Sequence, residues 1–202
     1  MPCRVRLFVI AGAADLLSSV LVSKLDLGQG LGLVVRFQSV RESVQEQSSR
    51  LLEVGQNLGL QGTVYTEADE VTLWQSLSEK IWQASQEPAI TCKIGVLPTA
   101  AVTTLTKLDA LTSSTGLGLI HGSGLGRLRL DSGTVTPQII KELRQYCESQ
   151  GGFLTVLEAP ISLKQQLDVW GYKGNALNVM RQIKQQFDPK NILSPERFVV
   201  GI

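Results

Sequence analysis

Residues 90–158 read ITCKIGVLPTAAVTTLTKLDALTSSTGLGLIHGSGLGRLRLDSGTVTPQIIKELRQYCESQGGFLTVLE, and the changes of apolar period along them decide the fold. Ile90, Cys92, Ile94 and Val96 fall on one parity, as on a strand whose alternate side chains face inward. Pro98 and Thr99 then open a helix that carries Ala101, Leu105, Leu108 and Leu111 at helical spacing. Residues 116–121 and 125–130 follow as two strands, joined by the turn Gly122-Ser123-Gly124. Thr136 suits an N-cap, and Pro137 suits the first helical position, where no N–H is needed. Ile139, Ile140, Leu143, Tyr146 and Cys147 make the buried stripe of that helix, which ends at Gly151-Gly152 before a strand over 153–158. The order β-α-β-β-α-β predicts an α+β, ferredoxin-like unit: an antiparallel sheet with helices on one face and the other face free to meet a partner.

Upstream, Leu31, Leu33, Val35 and Phe37 share one parity of a strand, which leaves Gly32, Val34, Arg36 and Gln38 on the other. Val40, Val44, Leu51 and Leu58 suit a helix ending near Gly59, and residues 62–67 read as a second strand, giving a further β-α-β unit. Trp74, Leu77, Ile81 and Ala84 recur at helical spacing after Asp69, a candidate N-cap, and Pro88 stops that helix. At the start, Arg4 and Arg6 precede an apolar run, but Asp15 interrupts it and residues 16–22 continue as an amphipathic helix, so no secretory signal is expected. Beyond Pro160 the pattern turns helical. Ser162 with Gln165 resembles a capping box, and Leu177, Met180, Ile183, Lys184 and Phe187 form a stripe ended by Asp188-Pro189. Residues 190–202, with Pro195, are expected to lie extended against a surface. The expectation is one domain over 1–202, with an α+β core over 1–160 and a helical and extended tail over 161–202.

With 202 residues, 43 % of them apolar and 18 % charged, the chain can bury a sizeable core and is not of disordered composition. Its net charge of +1 comes from scattered basic residues, which offer little attraction for a nucleic-acid backbone. Cys3, Cys92 and Cys147 are odd in number and far apart, so neither a disulfide framework nor a zinc site is expected. No apolar run is long enough for a transmembrane segment, and a cytoplasmic location follows as the default.

Both glycine runs are poor candidates for cradling phosphate. Gly28-Gln29-Gly30-Leu31-Gly32 precedes a strand and Gly122-Ser123-Gly124-Leu125-Gly126 joins two, whereas a dinucleotide loop runs from a strand into a helix N-terminus. His121 is the chain's one histidine, so any catalytic imidazole must be this one. A strand-end histidine is more often simply bonded to backbone, and no acidic residue near it in sequence stands to orient it. Arg36, Lys93, Arg127 and Arg129 lie on strands at the parity opposite the apolar residues, where a cluster of cations would bind a carboxylate. A solvated face is the ordinary alternative for them, and Arg36 is the strongest substrate-binding candidate. Trp170-Gly171-Tyr172 reads as packing or as an interdomain contact.

The segment Val169-Trp170-Gly171, followed by residues 180–198 (MRQIKQQFDPKNILSPERF), resembles the C-terminal signature of FAD-linked oxidases and is most similar to the FAD-binding subunit of glycolate oxidase. Arg36-Phe37-Gln38-Ser39-Val40 with Ser43-Val44, and Glu70 with Trp74, look like the same subunit. The resemblance implies a C-terminal cap or substrate-side domain acting on a small 2-hydroxy acid, with FAD held by a separate or missing domain and none bound to this chain alone. It also implies an FAD-binding domain or subunit as partner, and places Lys184 and Arg197 near the cofactor. Ser194 and Glu196 stand where the family usually has Asn and Gly, and Leu157-Glu158-Ala159-Pro160 occupies the place of the Glu-His-Gly metal motif of related dehydrogenases, so no metal is expected. The competing reading is a ferredoxin-like binding or subunit-assembly module without a catalytic role.

Overall fold

A computed structural model describes residues 11–82 and 89–202. Strands β3 (Ala89–Gly95), β4 (Leu117–His121), β5 (Leu125–Asp131) and β6 (Phe153–Glu158) form the expected core with helices α4 (Ala101–Leu111) and α5 (Pro137–Ser149). They belong to one six-stranded sheet of order β2-β1-β4-β5-β3-β6, antiparallel at every pairing. The α+β, ferredoxin-like class is thus borne out. The sequence cues act as anticipated at α5: the Thr136 hydroxyl accepts from the Ile139 N–H at 3.4 Å, and Pro137 follows it.

One face of the sheet is closed by α4 and α5. Cys92, Ile94, Leu128 and Leu154 pack there against Leu105, Leu108, Ile140 and Leu143, all buried. Gly118 permits the close approach, since a Cβ there would stand 2.7 Å from a Leu105 methyl.

Two strands extend the sheet beyond β4. β1 (Ala11–Leu17) falls in the stretch expected to be helical from residue 16; helix begins instead with α1 (Ser19–Lys24), whose N-cap is Ser18. β1 lies between β2 (Gly32–Phe37) and β4, and both Leu17 and Leu21 are fully buried. Pairing on both sides outweighs the helical spacing of the side chains.

A second correction concerns residues 62–67. Helix α2 (Arg41–Asn57) ends as expected in a Schellman motif, with Gly59 at φ +77°, Gly59 N–H on Gln56 O and Leu60 N–H on Gly55 O. No strand follows. Residues 61–66 are exposed and unpaired, and α3 (Glu67–Trp82) starts at once, with Asp69 in its first turn rather than at its cap. Val64 and Tyr65 are residue types that favour strands but stay exposed here, so pairing gains too little to offset ordering. The expected positions Ala84 and Pro88 lie outside the described residues, as do Cys3, Arg4 and Arg6.

Helix α3 also corrects the expectation of an uncovered second face. Its Leu77 and Ile81 pack on Leu17, Leu117 and Leu119, which point away from α4 and α5. That face is therefore helix-covered over β1 and β4 and polar towards β3. Past β6, α6 (Ile161–Lys164) has Pro160 at its N-cap and Ser162 inside the helix, so the capping box does not form. Helix α7 (Leu177–Phe187) follows.

Candidate functional site

Strand register places the polar residues of the second face in one row. Asp15 stands directly opposite His121, Arg127 lies opposite both Leu119 and Lys93, and Ala13 is opposite Arg36. Side chains alternate along each strand, so Arg36, Asp15, His121, Arg127, Arg129 and Lys93 all project to the side of α3.

The sequence brought these cations together as one set, but the structure divides them. Arg36 donates from Nε to Glu70 Oε1 at 2.8 Å and lies over the Trp74 ring at 5.6 Å, so its charge is balanced. Arg129 donates to the Lys80 carbonyl at 2.9 Å, capping the end of α3. Arg127 lies over Trp82 at 5.2 Å, has no carboxylate among the described residues, and keeps a buried Nε–H without a partner. Lys93, directly across the ladder from it, is exposed and also makes no ion pair among the described residues. Like charges set opposite each other repel, and an anion between them would relieve both that repulsion and the unmet donor.

His121 departs from expectation in a productive way. The sequence offers no neighbouring acid, but Asp15 Oδ1 lies 2.6 Å from His121 Nδ1. The Asp15 residue is 4 % exposed, whereas the His121 side chain is 43 % exposed and meets the edge of Trp82, with ring centroids 6.2 Å apart. Trp82 thereby touches both the imidazole and the Arg127 guanidinium. The Gly122-Ser123-Gly124 turn is a plain hairpin connection: Gly124, at φ +84°, donates to His121 O, and Gly122 donates to Ala14 O.

The two cofactor-side candidates are placed on the C-terminal segment, away from this row. Lys184 Nζ contacts Asp188 Oδ2 at 2.6 Å and Leu193 O at 2.5 Å. Asp188 also accepts the Ile192 and Leu193 N–H groups, at 2.9 and 2.8 Å. Lys184 therefore clips the turn after α7, and its hydrogen bond, with help from those two amides, holds the Asp188 carboxyl below its ordinary value. Arg197 is exposed, with no ion pair among the described residues.

Between β6 and the C-terminal segment lies a cleft of about 510 Å³, walled by Phe153, Trp170, Tyr172, Met180 and Phe198. Trp170 meets Phe198 edge-on, with ring centroids 5.0 Å apart. The cleft reaches the polar face through Thr155, which is opposite Lys93 and donates to the Trp170 carbonyl. Arg144, which the sequence reading passed over, secures this corner from beneath. It is buried and donates to Leu154 O at 3.0 Å and to Val169 O at 3.4 Å. Gly171 passes so close, at φ +61°, that a Cβ there would stand 2.5 Å from Arg144 Nε.

Cys92 and Cys147 offer no nucleophile, since burial pushes their thiols up to about 12 and about 11. Among the described residues no group of three or more His, Cys, Asp or Glu could hold a metal ion, and no helix is long and apolar enough to cross a membrane. An FAD pyrophosphate does not fit the chain's own glycine loops: residues 28–32 lead into β2 and residues 122–126 into β5, with no helix N-terminus behind either.

The helix-backed antiparallel sheet thus presents a cationic, aromatic face beside a C-terminal cleft. Residues 169–198, which form much of that cleft, match the family model for FAD linked oxidases, C-terminal domain. The match supports a domain of an FAD-linked oxidase. No curated protein matches the chain.

Proposed function

We propose that this chain is the substrate-side domain of an FAD-dependent oxidoreductase of the glycolate type, which binds a small 2-hydroxy acid and works with an FAD-binding domain or subunit. The observation that carries the reading is the juxtaposition, on one sheet face, of the cations Arg127 and Lys93, which make no ion pair among the described residues, with the Asp15–His121 couple. A 2-hydroxy acid needs a cation for its carboxylate and an acceptor for its hydroxyl proton. Arg127 and Lys93 supply the first, and His121 supplies the second. Arg36 joins them only by giving up Glu70, so it shapes the edge of the site through Trp74. Hydride acceptance belongs to the partner's flavin and to no residue of this chain.

The tail supplies the docking surface. Phe187, Ile192 and Leu193 are 79 %, 72 % and 66 % exposed, an apolar strip that covering by a partner would stabilise. Arg197 lies beyond this strip, with its guanidinium available to the cofactor side.

The test is reconstitution. The chain expressed alone should purify colourless, and with an FAD-binding domain of the family it should form a yellow complex whose flavin band is bleached by glycolate without oxygen. Arg127→Met should raise KM for the acid more than it lowers kcat. A stable yellow complex that no 2-hydroxy acid bleaches would leave only the subunit-assembly reading.

A further inference from the structure

We infer that Asp15 is a positioning residue, which fixes His121 with its proton on Nδ1 and so leaves Nε2 as the base presented to a ligand; this rests on the reading of His121 as proton acceptor. A carboxylate in the middle of a sheet is costly to bury unless its oxygens are bonded. Asp15 shares its face of β1 with the fully buried Leu17 and is itself 4 % exposed. An ionised carboxylate can only accept, and at 2.6 Å the contact has the length of a charge-assisted bond. The nitrogen it faces must therefore carry the hydrogen. The lone pair then falls to Nε2 on a ring that is 43 % exposed.

The partners cannot easily separate. They are directly opposite on paired strands, Gly122 N–H bonds Ala14 O at 2.7 Å just beyond them, and the Trp82 edge limits the ring on the α3 side. When a substrate hydroxyl gives up its proton, that proton goes to Nε2, and the Asp15 carboxylate beside Nδ1 balances the positive charge that forms.

Because the chain has one histidine, its chemistry can be read without a flavin partner. ¹⁵N spectra of the imidazole should show Nδ1 protonated and Nε2 bare. Carbethoxylation by diethyl pyrocarbonate should be slower in Asp15→Asn, by about tenfold if the loss matches the lower end of what removing a carboxylate partner costs a metal-ligating histidine. Asp15→Glu should recover much of the rate, and circular dichroism should show both variants folded. A residue that only holds strands in register would alter melting and leave the rate unchanged. The inference is overturned if folded Asp15→Asn reacts at the wild-type rate, or if the wild-type spectrum shows the proton on Nε2. Should Asp15→Asn not fold, the wild-type spectrum and Asp15→Glu still decide the matter. Loss of the dyad would not touch the reconstitution result, and an inactive reconstituted pair would not touch the tautomer.

Discussion

The two faces of the sheet are built from the same strands and differ in what they bury. Towards α4 and α5 the side chains are mostly aliphatic and buried. Towards α3 the same strands present Asp15, His121, Arg127 and Lys93, with tryptophan rings set between the charges. Alternation along the strands lets the α4–α5 face hold the larger core, while the α3 face combines a smaller apolar cluster over β1 and β4 with polar groups towards β3. Residues of the α3 side outside that apolar cluster, Arg127 and Lys93 among them, can therefore change with less disturbance to the core.

The sharpest way to break this comparison is to truncate one residue on each face. Leu105→Ala, at a fully buried site, should cost about 2–5 kcal/mol in denaturant unfolding, whereas Arg127→Met should stay within about 1 kcal/mol of wild type. Equal losses would mean that the polar face is structural after all. Next in size is Gly171→Ala, which puts a methyl group against the Arg144 guanidinium at a positive φ and should cost about 1–3 kcal/mol by thermal melting. An unchanged melting temperature would show that the cleft corner is not secured through Arg144.

The smallest effect is local to the tail. Asp188 has a folded-state value lowered mainly by its bond to Lys184, so the stability it contributes is present above the ordinary aspartate value of about 4. That stability should fade as the pH falls from there through the lower folded value. The protection of the Ile192 and Leu193 amides relative to their intrinsic exchange should fall over that window in wild type, and Asp188→Asn should remove this pH dependence of protection. Protection that persists through the window would detach the clip from Asp188.

Reading from the chain alone succeeded where the signal is local and failed where it is not. The alternation in β3, the capping residues of α5 and the glycine after α2 each act within a few residues, and the elements they specify are present. The same local reading placed a strand at residues 62–67 and missed β1, because both depend on whether a neighbouring strand is there to pair.

What the sequence determined by itself was the β-α-β-β-α-β core, the one possible histidine and the set of strand cations from which a site could be drawn. Tertiary structure alone decided which of them act together. Asp15 and His121 lie 106 positions apart, and only the β1–β4 register sets them face to face. The arrival of α3 supplied Glu70 to Arg36 and only a tryptophan ring to Arg127, so one guanidinium was neutralised and the other left with an unmet donor. A charge's function depends on its partner and its desolvation, and both are properties of packing between segments distant in sequence.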